Sequence, residues 1–256
     1  MLRALGVIPA RYASTRFPGK PLAPLGNGSL LSAVWSAADA ASRLTRVIVA
    51  TEDARIVEAC RGYGAEAMMT SPDHASGTDR AAEVVRRVGE PFDLVVNIQG
   101  DEPFVTPGSL DTLVAAFDGR PDLAMATLAE PLDDAQDLSD PGVVKVVTAG
   151  DGKALYFSRS PIPYHRGSGG QPVGGSLAGY LKHQGIYAYR IDTLVRLTGM
   201  APSPLELAES LEQLRALQAG IGIQVLPSDF KSIAVDTPAD LARAAARFSS
   251  RQEITR

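Results

Sequence analysis

Apolar and polar positions in the first half of the chain alternate between two periods. Short, nearly continuous apolar runs (ALGVI, RVIVA, AEAMM, DLVVNI and LAMAT) read as buried strands. Between them, Ser29–Ser42, Asp53–Tyr63, Thr78–Val88 and Pro107–Phe117 carry helical spacing. The rhythm predicts an α/β fold built of βαβ units, with a mainly parallel central sheet and helices on both faces. Sheets of this kind bind ligands outside the carboxyl ends of their strands, so function is expected in the loops after Ile8, Ala50, Met69 and Ile98.

From Pro131 the pattern changes. VVKVV and ALYFS flank AGDGK and predict a hairpin, and the Gly-rich RGSGGQPVGGSLAG, residues 166–179, has too little apolar content to pack. It is expected to be a mobile loop, either a lid or a surface excursion. Strand GIYAY follows, then one helix over Leu205–Ala219 with Leu207, Leu211 and Leu214 on a single stripe, strand IQVLP and a last strand near SIAV. The whole, residues 1–256, is expected to be one domain with a smaller lobe at about 131–220.

Charge narrows the partners. The 25 basic and 29 acidic residues are spread along the chain for a net −4, so no face is built for a nucleic-acid backbone. Cys60 is the sole cysteine, which excludes a disulfide framework and a cysteine metal cage. No leader pattern follows Met1, and the apolar runs are far shorter than the ~20 residues of a spanning helix. A cytoplasmic protein without membrane insertion is the expectation.

Chemistry concentrates in four stretches. After the first strand, Arg11, Arg16 and Lys20 stand among Ser14, Thr15 and Gly19, a grouping suited to a polyphosphate or to a solvated basic turn. In DLVVNIQGDEP, a strand delivers Asp101 to its carboxyl end, where a carboxylate facing the basic loop suits magnesium with substrate phosphates; Asp101 and Glu102 before Pro103 forming a simple turn is the lesser reading. In SIAVDTPADL, Thr237 can cap the last helix, with Pro238 at its first position and Asp240 completing the capping box. Asp236 is then free to join Asp101 at a metal or to form a turn. In SPDHASGTDRAAEVV, Thr78 is a candidate cap, and Ser76, Gly77 and Arg80 suit an anion or a base edge, or else an ordinary surface helix. Arg159, His183, Glu212 and Gln213 are weak signals singly, the last two reading as the solvated side of a helix. No Ser-His-Asp order and no G-x-G-x-x-G after the first strand can be found, so hydrolase and dinucleotide readings lose support.

Taken together, VIPARYASTRFPGKPL, DHASGTDRAAEV, VVNIQGDEP, VVKVV, ALYFSRSPIP, HQGIYAYR, PSPLELAESLEQLR and VDTPADL resemble the 3-deoxy-manno-octulosonate cytidylyltransferases, the CMP-Kdo synthetases, over nearly the whole chain. The resemblance implies a Rossmann-like nucleotidyltransferase fold with a smaller β-rich lobe carrying dimer contacts, and the reaction CTP + Kdo → CMP-Kdo + pyrophosphate for lipopolysaccharide biosynthesis. By motif match, Arg11 and Lys20 would hold the CTP phosphates with Ser14 nearby, and Ala10, Ser76, Gly77 and Arg80 would line the nucleoside pocket. Gln99 would lie between nucleotide and sugar, while Arg159, His183, Tyr187, Glu212 and Gln213 would receive Kdo. Asp101 and Asp236 would bind Mg2+, and the segment around Pro204 would approach the partner of a homodimer. Two departures flank the implied sugar site: Gln184 stands where an apolar residue is common, and LELAES replaces the more familiar lead into LEQLR. Transfer to 8-amino-Kdo or another 2-keto sugar acid is therefore the alternative reaction, and a non-catalytic nucleotide-binding homologue the alternative class.

Overall fold

The computed structural model describes residues 2–13, 16–170 and 172–254, without the side chains of 250–254. The strands are β1 (Ala4–Pro9), β2 (Pro24–Leu25), β3 (Gly28–Ser29), β4 (Leu44–Thr51), β5 (Ala67–Met69), β6 (Leu94–Asn97), β7 (Met125–Pro131), β8 (Lys145–Thr148), β9 (Ala154–Ser158), β10 (Leu181–Arg190) and β11 (Ile223–Pro227). The helices are α1 (Leu30–Asp39), α2 (Ala54–Gly62), α3 (Gly77–Arg87), α4 (Pro107–Ala115), α5 (Ala135–Ser139), α6 (Ile191–Thr198), α7 (Pro204–Glu209), α8 (Gln213–Gln218) and α9 (Pro238–Ile254).

The main sheet runs β11-β7-β10-β6-β1-β4-β5, with β10 antiparallel to both neighbours and the other pairs along this path parallel. Strand β1 explains the continuous apolar run at the start of the chain. Ala4 and Ile8 enter the core on one face and Leu5 and Val7 the core on the other, all fully buried. Two hydrophobic layers result. One holds buried residues of α1, α2, α4 and α9, the other those of α3, α6 and α8. The expected hairpin forms as β8–β9, and β8 also pairs with the start of β10, so it extends the same sheet.

Several expectations shift in detail. Helix α3 starts at Gly77, capped by Ser76 rather than Thr78, because Ser76 and Asp79 form a reciprocal box: Asp79 N–H donates to Ser76 Oγ at 3.1 Å, and Ser76 N–H to Asp79 Oδ2 at 3.1 Å. The single helix over 205–219 is broken into α7 and α8 by Ser210, whose φ of 51° is left-handed. The break separates the supposed stripe: Leu207 is exposed, whereas Leu211 and Leu214 are buried. No strand forms at 232–235; that segment runs as coil held by side-chain bonds. Residues 166–179 carry two short 3-10 turns, Arg166–Ser168 and Val173–Gly175, with no buried residue in either. Among the described residues, no helix is long and apolar enough to cross a membrane.

Candidate active site

The loop after β1 turns back at Gly19, whose N–H donates to the Tyr12 carbonyl at 2.9 Å. Its φ is 73°, and a Cβ there would stand 3.1 Å from the Tyr12 hydroxyl, so the turn requires glycine. Lys20 is delivered at the start of a 3-10 turn, Lys20–Leu22. Gly100 brings the end of β6 so near β1 that a Cβ would lie 2.8 Å from the Pro9 carbonyl oxygen. Asp101 follows at once. Asp236 arrives by the 228–236 coil, pinned where Val235 N–H donates to the Asp101 carbonyl at 2.9 Å. As expected, Thr237 and Asp240 cap α9 reciprocally, which leaves the Asp236 carboxylate to face the cleft.

These remote positions meet at one ammonium. Lys20 Nζ donates to Asp101 Oδ2 at 2.8 Å and to Asp236 Oδ1 at 3.1 Å, while Arg16 Nη2 lies 3.1 Å from Asp236 Oδ2. Burial disfavours the Lys20 charge, yet the two carboxylates, Asp101 foremost, outweigh it and raise its pKa above the ordinary lysine value. Among the described residues no three His, Cys, Asp or Glu side chains gather as a metal cage, so a cation here would need substrate oxygens besides Asp101 and Asp236.

Two cavities adjoin at this cluster. The smaller, about 380 Å³, is lined by Ala10, Arg11 and Lys20; the larger, about 870 Å³, by Ser76, Arg159, His183, Tyr187, Glu212 and Gln213. Arg16, Gly77, Gln99, Asp101 and Asp236 line both. Nearly every residue expected from the sequence is therefore on one continuous cleft. Ser14 lies outside the described residues. Arg80 is the exception in placement: it is buried on α3, donating to Thr70 Oγ1 with Nη2 2.9 Å from Glu52 Oε2. Burial pulls its pKa down, and Glu52 also accepts from Tyr12 N–H at 3.1 Å, so Arg80 braces the loop after β1 from behind.

The larger cavity has a different character. His183 lies inside β10 rather than ahead of it, and burial drives its pKa down to about 3, so the ring is neutral. Its Nε2 is 3.1 Å from Thr127 Oγ1, whose one hydrogen is directed to the Ile186 carbonyl at 2.8 Å. That assigns the His183 proton to Nε2 and leaves Nδ1 an acceptor. Burial also raises the Tyr187 and Tyr189 hydroxyls well above the usual tyrosine range, keeping both protonated. Gln213 is buried with Nε2 unpartnered, not solvated, because the break at Ser210 turns α8 inward. Glu212 occupies the N-cap of α8. Arg159 is anchored on main-chain carbonyls: Nε to Glu209 at 2.7 Å, Nη1 to Pro141 at 2.7 Å and Nη2 to Ser210 at 3.2 Å. One N–H on each terminal nitrogen remains to fork onto a carboxylate. Gln184 is buried on the opposite face of β10, its amide donating to the Phe230 carbonyl at 3.1 Å, so this departure does not touch the cleft.

Sequence reasoning missed three features. Asn97, fully buried in β6 with Oδ1 unpartnered, lines the larger cavity. Ser232 Oγ sits 2.7 and 2.8 Å from the two oxygens of buried Glu102, and its N–H donates to Glu130 Oε1 at 2.9 Å, stapling the coil that carries Asp236. Burial, with the Asp101 charge adding, pushes the Glu102 carboxyl up to about 8. Lys145 is the third. Glu102 and Asn97 stood in a stretch already marked for chemistry, but only the fold reveals their neighbours.

A family model described as "Cytidylyltransferase" matches residues 5–228. The 3-deoxy-manno-octulosonate cytidylyltransferase of Halorhodospira halophila is 48% identical over 95% of this chain and 96% of its own length. That of Solibacter usitatus is 44% identical over 97% and 95%. A solved structure of CMP:2-keto-3-deoxy-manno-octonic acid synthetase complexed with CTP superposes with a TM-score of 0.89 at 42% identity, covering 97% of this chain and 99% of that one. A cytidylyltransferase from Leptospira borgpetersenii, 16% identical with a TM-score of 0.65 over 98% and 88%, shares the fold.

Proposed function

The chain belongs to the 3-deoxy-manno-octulosonate cytidylyltransferase family and transfers CMP from CTP to Kdo, and we propose that it does so by dividing the two substrates between its adjoining cavities. The observation that carries this reading is the common wall of Gln99, Asp101 and Asp236, where the two reacting ends can meet. CTP occupies the smaller cavity, its phosphates held by Arg11 and Lys20 of the loop after β1, with the Ser14 hydroxyl of that loop assigned to the same role. Ala10 and Gly77 border the nucleoside, Ser76 approaches it from the adjoining larger cavity, and Arg80 supports them from behind.

Kdo occupies the larger cavity. Arg159 forks onto its carboxylate, neutral His183 accepts from a hydroxyl through Nδ1, and Tyr187, Glu212 and Gln213 hold the remaining polyol. The anomeric hydroxyl attacks the α-phosphorus in line and pyrophosphate leaves on the opposite side, so the work of these residues is positioning and charge neutralisation. Asp101 and Asp236 fit a magnesium ion, since one ammonium reaches both carboxylates and magnesium takes one or two of them together with substrate phosphates. When bound, that ion supplies charge neutralisation at the phosphates and a lower pKa for the attacking hydroxyl.

A cytoplasmic homodimer fits this activity. Leu155 on β9 and Leu205 and Leu207 on α7 are exposed, and Ser158 Oγ bonds Glu209 Oε1 at 2.7 Å, so the two elements form one surface for self-association. Light scattering on the purified protein tests the dimer. Pyrophosphate release across the four NTPs and a panel of Kdo, 8-amino-Kdo and sialic acid tests the reaction. Turnover is expected with CTP and Kdo; turnover only with another sugar acid, or none, overturns the substrate assignment.

A further inference from the structure

The lysine of VVKVV is fully buried, yet nothing in the catalytic reading uses it. Lys145 Nζ donates to three main-chain carbonyls: Asp140 at 2.9 Å, Val143 at 2.5 Å and Arg159 at 2.6 Å. An ammonium has three N–H donors and a neutral amine two, so the three bonds together use the whole ammonium, although burial pulls its pKa down against the charges of Asp140, Asp137 and Glu209. A buried cation hydrogen-bonded only to carbonyls is costly, so its contribution is sought in the geometry those three bonds enforce.

We propose that Lys145 is a positioning residue for the sugar-acid end of the cleft, tying the loop at residues 140–143 to the backbone of Arg159 and so fixing the guanidinium that receives the carboxylate. This rests on the functional reading above. The two cations are joined twice. Lys145 binds the carbonyl of Arg159 itself, and the loop that Lys145 gathers presents the Pro141 carbonyl to Arg159 Nη1 at 2.7 Å. Asp140, Gly142 and Val143 of that loop also line the larger cavity. Without the ammonium, three carbonyls face one another with no donor between them. The loop then relaxes, and Arg159 loses an anchor on the side away from Glu209 and Ser210. The effect reaches the sugar and not the nucleotide, because none of these groups borders the smaller cavity.

The test is Lys145→Met, alone and combined with Arg159→Lys, read by pyrophosphate release with Kdo and CTP varied separately. Lys145→Met is expected to raise KM for Kdo on the order of tenfold, as loss of charge-assisted hydrogen bonds does, and to leave KM for CTP within about twofold. With Arg159→Lys also present, the further rise is expected to be much smaller than the product of the two, since both changes damage one arrangement. A merely structural lysine would give multiplied effects, or equal rises in both constants. Should Lys145→Met fail to fold, Asp140→Ala serves instead: that exposed carboxylate accepts from Gly142 N–H at 2.7 Å and shapes the same loop. It is expected to raise the Kdo constant alone, a few-fold, with the same non-additivity. Wild-type turnover with unchanged or multiplied constants in the variants overturns the proposal; absence of wild-type turnover overturns the functional reading and this proposal with it.

Discussion

The two ends of the cleft are built on opposite principles. At the end proposed for the nucleotide, the cations of the loop after β1 answer to carboxylates: Lys20, largely buried, spans Asp101 and Asp236, and Arg16 reaches Asp236 from solvent. At the end proposed for the sugar, Arg159 and Lys145 are anchored on main-chain carbonyls, beside an uncharged His183 and a protonated Tyr187. The difference suits the ligands proposed for each end. A triphosphate needs mobile charge that can leave one partner for another, whereas a sugar acid is told apart by fixed donors and acceptors whose burial makes a mismatch costly.

The largest effect that could break this contrast lies where the ends meet. Asp101→Asn and Asp236→Asn are each expected to cut turnover on the order of 10²–10³-fold, as loss of one charge-stabilising group does, measured by pyrophosphate release at saturating substrates. A near-normal rate in either removes that residue from the shared wall. Lys20→Ala comes next. Roughly tenfold to a hundredfold weaker CTP binding by calorimetry is expected, with the Kdo constant little changed, because the ammonium faces the smaller cavity. Unchanged CTP affinity would move the phosphate grip elsewhere.

What the sequence disclosed divides along the same line. The end proposed for the nucleotide lies largely in contiguous stretches, where a strand, a Gly-containing turn and three cations announce themselves within residues 4–20, and β1 and β6 read correctly because each is buried on both faces. The sugar end is assembled from β8, β9, β10 and α8, and no spacing reveals that Lys145 would meet the carbonyl of Arg159. One backbone angle hid more: Ser210 in the left-handed region splits a well-patterned helix, and periodicity cannot register a break that capping and packing enforce. Asp236 was found only as a candidate, since its meeting with Asp101 depends on a coil stapled through Ser232 that reads as a strand.

Smaller effects sharpen the contrast. Gly100→Ala is expected to cost about 1–3 kcal/mol in denaturant unfolding, because the added methyl meets the Pro9 carbonyl oxygen at 2.8 Å and must part β1 from β6 at the junction. An unchanged midpoint would mean that the two strand ends yield freely. His183→Gln should flatten the acid limb of stability. The folded-state pKa of about 3 lies below the ordinary 6.5, so the unfolded chain takes the proton first, and stability present above pH 6.5 is lost as pH falls toward 3. Melting temperatures between pH 7.5 and 5 are expected to fall less in the variant; equal slopes would show that the wild-type ring is charged or solvated.

The division of substrates is tested most directly by Arg159→Lys, with the Michaelis constants for Kdo and CTP measured on one preparation. Lysine keeps the charge but loses the planar fork, so the constant for Kdo is expected to rise on the order of tenfold while that for CTP stays within about twofold. Equal rises in both constants, or no rise in either, would contradict a cleft whose two ends hold different substrates.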